Sequence, residues 1–371
     1  MFFRALPLLI VALLSVAAVL QEDQKYSLQE KRELKTLDDI SFTINNIQFI
    51  PSELDAYFTD QAFLKSSLFN LYTRLKLALG DSPSEDVTLG KDYWFFLGSP
   101  ISKKYANLIN YSSKTLKLSE PSNYLRIKSK LKSSLNSQGI SYLYVIAPDK
   151  SSVYPEYLPD QYYHFNLSRQ GLSSTISARF ESELGLSFLN LKDVLIEGKA
   201  NSSKPLYYLW DTHWNTRGAS ISEAAIAERL KLIVDRSDFN IEPLDFVINK
   251  KKSYTGDLAK FAGATHLSEE VLNANPNNYL AAKCVKGTFG NRSLACTRGV
   301  KAMRILLIRD SFSAALIPFM SQRYSDLFAV QEYPLNSRIE KLVKELQPDV
   351  VIEQVVEREF LYFSGVPRIP L

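Results

Sequence analysis

The chain has little of the material from which metal and redox sites are built. Of its 371 residues only two are cysteine and three are histidine. Cys284 and Cys296 stand in a glycine- and lysine-containing stretch with no further cysteine or histidine nearby, which excludes a zinc site of the usual spacing there. Charge of one sign is not in excess either. Lys and Arg number 44 against 40 Asp and Glu, a net charge of +4, so nothing argues for a nucleic-acid partner. An ordinary mixed-charge surface accounts for the surplus more simply than an acidic ligand does. There is no internal repeat and no low-complexity block. One uncharged apolar run stands out, Ala5 to Leu20, preceded by Met1-Phe2-Phe3-Arg4 and followed by Gln21-Glu22-Asp23-Gln24-Lys25. It is shorter than the roughly 20 residues of a comfortable membrane span, and Val16-Ala17-Ala18 offers small residues for cleavage. Residues 1–20 therefore read as a signal peptide or a membrane anchor, and the charged stretch 21–39 as a linker. Both readings place the rest of the chain outside the cytosol.

What the chain does have is apolar material for a large core. It is 46% hydrophobic and 23% charged, within the size of one elaborated domain or two. Leu54 to Leu79 sets Tyr57, Phe58, Phe63, Leu64, Leu68, Leu71, Tyr72 and Leu75 at helical spacing, one long or broken amphipathic helix. Val87 to Leu97 reads as a short hairpin, Pro121 to Asn136 as a helix, and Ile140 to Ala147 as a buried strand ended by Pro148. Further strands are expected at Leu186 to Leu191, Met303 to Ile308, Leu327 to Val330 and Val350 to Val355. Helices are expected near Leu172 to Leu184, Asn215 to Leu232, Ala314 to Arg323 and Ser337 to Leu346. This alternation predicts an α/β fold, a mostly parallel sheet with helices on both faces. The domain occupies 40–371, and the less regular segment around 233–300, with Pro243, Pro276 and both cysteines, reads as an insertion bordering the site. In an oxidising compartment a Cys284–Cys296 disulfide is expected, two free thiols being the alternative.

Two short motifs carry the chemistry: Asp211-Thr212-His213-Trp214-Asn215, and Ile308-Arg309-Asp310-Ser311-Phe312-Ser313. A serine hydroxyl is a weak nucleophile until a base removes its proton during attack. Imidazole is the suitable base, and a carboxylate on its far nitrogen fixes the tautomer and stabilises the imidazolium. The roles expected are Ser311 nucleophile, His213 general base and then acid, and Asp211 orienter. Of the three histidines, His164, His213 and His266, only His213 has an acid so close in sequence. Asp211 and Ser311 could equally be helix caps. The strand Met303 to Ile308 feeding Asp310-Ser311 and the apolar Ala314 to Ile317 puts the serine at the carboxyl end of a strand, its amide near a helix start where an oxyanion is stabilised. Lys150, which follows another strand end, could face the same cleft and contact a ligand there, a solvated lysine being the alternative. Arg309 could stabilise an oxyanion or pair with a structural acid. Asn215 could orient substrate or start a helix, and Tyr154 and Trp214 could stack on rings of the substrate. No metal is expected.

The Asp-Ser pair resembles the nucleophile block of SGNH hydrolases, with Arg309 in place of the usual glycine. In those enzymes the serine block precedes the Asp/His block, so the order here looks like a circular permutation. The chain further resembles the alginate O-acetyltransferases of the AlgX and AlgJ type. Gly90-Lys91-Asp92-Tyr93-Trp94-Phe95-Phe96-Leu97, Ala147-Pro148-Asp149-Lys150 with Val153-Tyr154-Pro155-Glu156-Tyr157-Leu158-Pro159, Gly256-Asp257-Leu258-Ala259 and Val355-Val356-Glu357-Arg358 all fit that family. The resemblance implies an SGNH hydrolase-like domain, periplasmic and held at the inner membrane if the N-terminal segment is retained. It implies transfer of acetyl groups to hydroxyls of a secreted or surface polysaccharide, with Asp211, His213 and Ser311 at the family's catalytic positions. It also implies a membrane-bound O-acyltransferase that supplies the acetyl group, and no cofactor beyond the acetyl donor. A carbohydrate acetylesterase uses the same triad, and a non-catalytic polysaccharide-binding protein could retain the fold.

Overall fold

The computed structural model describes residues 22–27, 32–43, 46–61, 65–84, 86–98, 123–234, 246–276, 282–288, 292–298, 303–331 and 338–364. Its centre is a sheet of seven strands: Ser141–Ala147 (β1), Phe188–Asn190 (β2), Lys283–Lys286 (β3), Ser293–Thr297 (β4), Arg304–Arg309 (β5), Asp326–Val330 (β6) and Val350–Val356 (β7). Their spatial order is β2-β1-β7-β5-β6-β4-β3. The first five in that order run parallel, and β4 and β3 continue the sheet as an antiparallel hairpin beside β6.

Alternate residues of the strands enter two separate cores. Leu143, Val145, Ile305, Leu307, Val350 and Ile352 pack with Ala219, Ile226 and Leu230 of the helix Thr216–Ile233. On the opposite face Tyr142, Tyr144, Ile146, Leu306, Ile308 and Val351 meet three helices, Asn123–Asn136, Asp160–Leu184 and Ile339–Leu346. Strands buried on both sides need no polar face, which is why β1, β5 and β7 are near-continuous apolar runs. Each such aliphatic side chain contributes about 1.5–3 kcal/mol on burial. One buried charge interrupts the pattern. Glu353 of β7 accepts from Lys128 Nζ at 2.5 Å and from the Tyr142 hydroxyl at 2.9 Å, and this pairing makes burial of the carboxylate tolerable.

The expected α/β architecture is present, with differences that have local causes. The pattern over Leu54 to Leu79 is two helices, Ile50–Gln61 and Lys65–Ala78. The one expected near Ala314 to Arg323 is a 3-10 turn, Phe312–Ala315, followed by the helix Ile317–Arg323, with Pro318 in its first turn where a missing amide costs nothing. The segment 233–300 is not wholly an insertion: β4 pairs with β6 along its full length and β3 with β4, so residues 283–286 and 293–297 extend the sheet. Cys284 and Cys296 face each other across β3 and β4 and form a disulfide. The stretch 21–39 is not a free linker where it is described. Gln61 brackets it by accepting from the Gln24 amide at 3.0 Å and donating to the carbonyls of Gln24 and Lys35 at 2.9 Å each. Asp60 holds the Lys35 amide at 2.9 Å. The signal peptide or anchor expected at 1–20 lies outside the described residues, and among the described residues no helix is long and apolar enough to cross a membrane.

Candidate active site

Ser311 lies two residues beyond the last residue of β5, at the carboxyl end of the parallel strands, and is exposed. The turn that presents it is fixed by Asp310, whose carboxylate accepts from the Phe312 amide at 2.8 Å and from the Val356 amide of β7 at 2.5 Å. Asp211 and His213 come from the loop between the helices Lys192–Ala200 and Thr216–Ile233. The loop is pinned to the serine turn by Trp214, whose indole N–H donates to the Phe312 carbonyl at 3.0 Å. The three side chains meet. His213 Nδ1 donates to Asp211 Oδ1 at 2.6 Å, and His213 Nε2 lies 2.8 Å from Ser311 Oγ. With Nδ1 protonated toward the carboxylate, Nε2 is left to accept from the hydroxyl.

Asp211 is buried, yet none of its lone pairs faces empty space. Oδ1 also accepts from the His213 amide at 2.9 Å, while Oδ2 accepts from the Tyr254 hydroxyl at 2.6 Å and the Asp257 amide at 2.8 Å. Burial pushes this carboxyl up, but the hydrogen bond and charge of His213, with Tyr254 and Asp257, outweigh it and hold Asp211 well below the ordinary carboxylate range. Asp257 is shifted the other way, raised by burial and then by the charge of Asp211. Its oxygens accept from the Thr212 amide and the Thr212 hydroxyl, each at 2.7 Å. Asp211, His213 and Asp257 offer ligand atoms within 4.8 Å of one another, but all four carboxylate oxygens already face protein donors. Tyr254 and Asp257 were not found by sequence reasoning as partners of Asp211; the signal was the Gly256-Asp257 pair. Gly256 leaves no room for a side chain, since a Cβ there would stand 2.0 Å from the Trp210 carbonyl oxygen and 2.9 Å from Asp211 Cβ. Gly256→Ala is expected to destabilise the protein by about 1–3 kcal/mol, the usual cost of overpacking against backbone, measurable by urea denaturation.

The side chains expected to bind substrate do other work. Lys150 is buried, and its ammonium donates to the carbonyls of Tyr208 (3.0 Å), Leu209 (3.1 Å) and Asp211 (2.6 Å). This satisfies all three of its N–H groups without a glycan. Asn215 is the N-cap of Thr216–Ile233, accepting from the Arg217 amide at 2.9 Å and donating to the Pro205 carbonyl at 2.7 Å. Tyr154 and Trp214 are buried, so neither offers a face to a sugar. Tyr154 stacks on Trp94 with ring centroids 4.6 Å apart, and its hydroxyl accepts from the Leu206 amide at 2.8 Å. Arg309 pairs with no acid among the described residues. It donates to the Asp310 carbonyl at 2.9 Å and so braces the turn before Ser311.

A serine at the end of a parallel strand, reached by a His–Asp pair from a separate loop, places the chain among the serine-triad α/β proteins. A family model described as SGNH hydrolase-like domain, acetyltransferase AlgX, matches residues 87–326, and the chain belongs to that family. A probable alginate O-acetylase AlgJ of Pseudomonas fluorescens is 24% identical over 223 residues, 59% of this chain and 52% of that protein. The chain thus spans about half the length of the curated relatives it matches. Among solved structures, Bacillus cereus PatB1 with a sulfonyl adduct aligns with a TM-score of 0.52 at 13% identity, over 73% of this chain and 96% of that one. AlgX of Pseudomonas aeruginosa aligns with a TM-score of 0.50 at 17% identity, over 73% and 61%. These two share the fold.

Proposed function

We propose that this chain is an O-acetyltransferase that places acetyl groups on hydroxyls of a secreted or surface polysaccharide through an acetyl-Ser311 intermediate. The observation that carries the reading is the hydrogen-bonded line Asp211–His213–Ser311 ending in an exposed hydroxyl, in a chain of an acetyltransferase family. As Ser311 Oγ attacks the acetyl carbonyl carbon, His213 Nε2 takes the hydroxyl proton. Collapse of the tetrahedral species breaks the bond to the donor's leaving group, which receives that proton. A sugar hydroxyl then gives its proton to His213 and attacks the acetyl carbon, and Ser311 leaves and is reprotonated. Asp211 stays ionised and stabilises the imidazolium in both halves. The Ser311 amide makes no hydrogen bond to any described residue and is free to donate to the oxyanion.

No metal or cofactor enters this scheme beyond an acetyl donor, for which a membrane-bound O-acyltransferase is the proposed supplier. The Cys284–Cys296 disulfide supports a periplasmic location, with the apolar segment 5–20 as leader or anchor. Alginate, named in the curated relatives, is the first acceptor to try. The full chain is incubated with a chromogenic acetyl ester, with and without oligosaccharide. Acetylated sugar by mass supports transfer; free acetate alone makes it an acetylesterase; neither product leaves a non-catalytic polysaccharide-binding role.

A further inference from the structure

Residues 208–211 form an arch with no regular secondary structure, so each of its backbone polar groups must find a partner elsewhere. The Leu209 carbonyl also accepts from the Phe95 amide at 3.0 Å, and the Trp210 carbonyl accepts from the Ala259 amide at 3.0 Å. Two side chains of opposite charge take most of the rest. The ammonium of Lys150, which opens the short helix Lys150–Val153 three residues after β1, gathers the carbonyls of Tyr208, Leu209 and Asp211. The Glu269 carboxylate accepts from the amides of Leu209 and Trp210, each at 3.0 Å. Leu209 is held from both sides, its carbonyl by the lysine and its amide by the glutamate.

Glu269 begins one strand of the hairpin Phe246–Tyr254 with Glu269–Pro276, and Tyr254 ends the other. The connected end of this hairpin, where Tyr254 pairs with Glu269 and which is its base against the arch, therefore meets the arch twice, through Glu269 on its backbone and through the Tyr254 hydroxyl on Asp211 Oδ2.

We infer that Lys150 and Glu269 are paired positioning residues, a clamp that sets the backbone from which Asp211 and His213 reach Ser311, and that the hairpin base is thereby part of the catalytic apparatus. The inference rests on the proposed role of Ser311 as nucleophile. The carboxylates facing Lys150 are Asp211, Asp257 and Glu269. Trp94 and Phe96 put their rings within 5.7 and 5.4 Å of its ammonium, and Arg358, from the helix Glu357–Phe363, pairs with the neighbouring Asp149. Burial brings Lys150 down to about 8 against the pull of those carboxylates. Above that pH a neutral amine keeps two N–H groups for three carbonyls, and the arch loosens. Tyr208 is pushed up to about 12 by burial and Tyr254 is raised as well, so neither of these hydroxyls titrates in the same interval.

The test reads the rate at which phenylmethanesulfonyl fluoride modifies Ser311 in the full chain, by intact mass from pH 6 to 10. In that reaction Ser311 Oγ bonds to sulfur, fluoride leaves and His213 takes the proton, so neither acetyl donor nor glycan is needed. Lys150→Met is expected to slow modification about 10²-fold near neutral pH, the scale of a misplacement near 1 Å, and to abolish the fall in wild-type rate above pH 8. Lys150→Arg keeps a charge at every pH in the range and loses the same fall with a smaller drop in rate, which guards against a Met variant that fails to fold. Glu269→Gln turns one donor toward an amide and is expected to cost about 10-fold. Variants within about threefold of the wild type, or an upper fall that survives in Lys150→Met, overturn the clamp. A wild-type Ser311 inert to the reagent overturns both the clamp and the nucleophile assignment. A reactive Ser311 with the expected variant effects but no acetylated sugar overturns the acetyl-transfer reading alone.

Discussion

Ser311→Ala is expected to lower acetyl transfer by at least about 10⁴-fold, because the covalent route is removed and only binding and oxyanion contacts remain. The fold should not notice. The Ser311 hydroxyl is exposed and bonds only to His213 among the described residues, and an exposed substitution of this kind changes stability by less than about 0.5 kcal/mol. The two readouts, acetylated oligosaccharide by mass and the thermal midpoint, therefore separate. A variant that melts as the wild type does yet still acetylates sugar at its rate would falsify Ser311 as the acyl carrier.

Asp211→Asn is expected to cost both activity and stability. Four donors converge on this carboxylate, the His213 ring and amide on one oxygen and the Tyr254 hydroxyl and Asp257 amide on the other. An amide can accept on one side only. If its NH2 faces His213, the imidazole must present an acceptor at Nδ1, which puts the proton on Nε2 and leaves nothing to deprotonate Ser311, a loss of about 10⁴-fold in turnover. If its NH2 faces the other way, it meets the Asp257 amide and leaves a buried donor unsatisfied. Either way about 3 kcal/mol of stability is lost, measurable as a shift in the urea midpoint. The pH signature follows from the depressed carboxyl of Asp211. Its contribution to stability is complete above the ordinary aspartate value of 3.8 and is lost as pH falls through the lower value of the folded state. In the asparagine variant that part of the acid dependence disappears.

The scaffold was legible where burial repeats along the chain. Tyr142 to Ala147 and Ile305 to Ile308 are apolar runs too short for typical helices, Val350 to Val356 is one broken only by Glu353-Gln354, Pro148 and Pro348-Asp349 punctuate them, and each is a strand covered on both faces. The Asp-x-His and Asp-Ser motifs were legible because the acid is two residues from its histidine. The surroundings were not. Tyr254 and Asp257 lie 43 and 46 residues from Asp211, and no periodicity ties a hairpin end to a loop that far away. For Lys150, Tyr154 and Trp214 the sequence left open a ligand-facing role that their burial against the protein does not support, while for Asn215 the helix-start alternative is the one the structure shows. A lysine, an amide or an aromatic ring near a catalytic motif has the same composition whether it faces a ligand or the protein's own carbonyls, and only tertiary packing decides which.

Among the described residues the sheet ends on β3, Lys283-Cys284-Val285-Lys286, all four exposed and the cysteine bridged to Cys296. An open strand edge is a template on which another molecule can add its own strand. Here the template is four residues long, carries a lysine at each end, and is tied to β4 so that it cannot peel away and lengthen. Two copies meeting edge to edge there would bring these lysines against one another, a contact that like-charge repulsion disfavours.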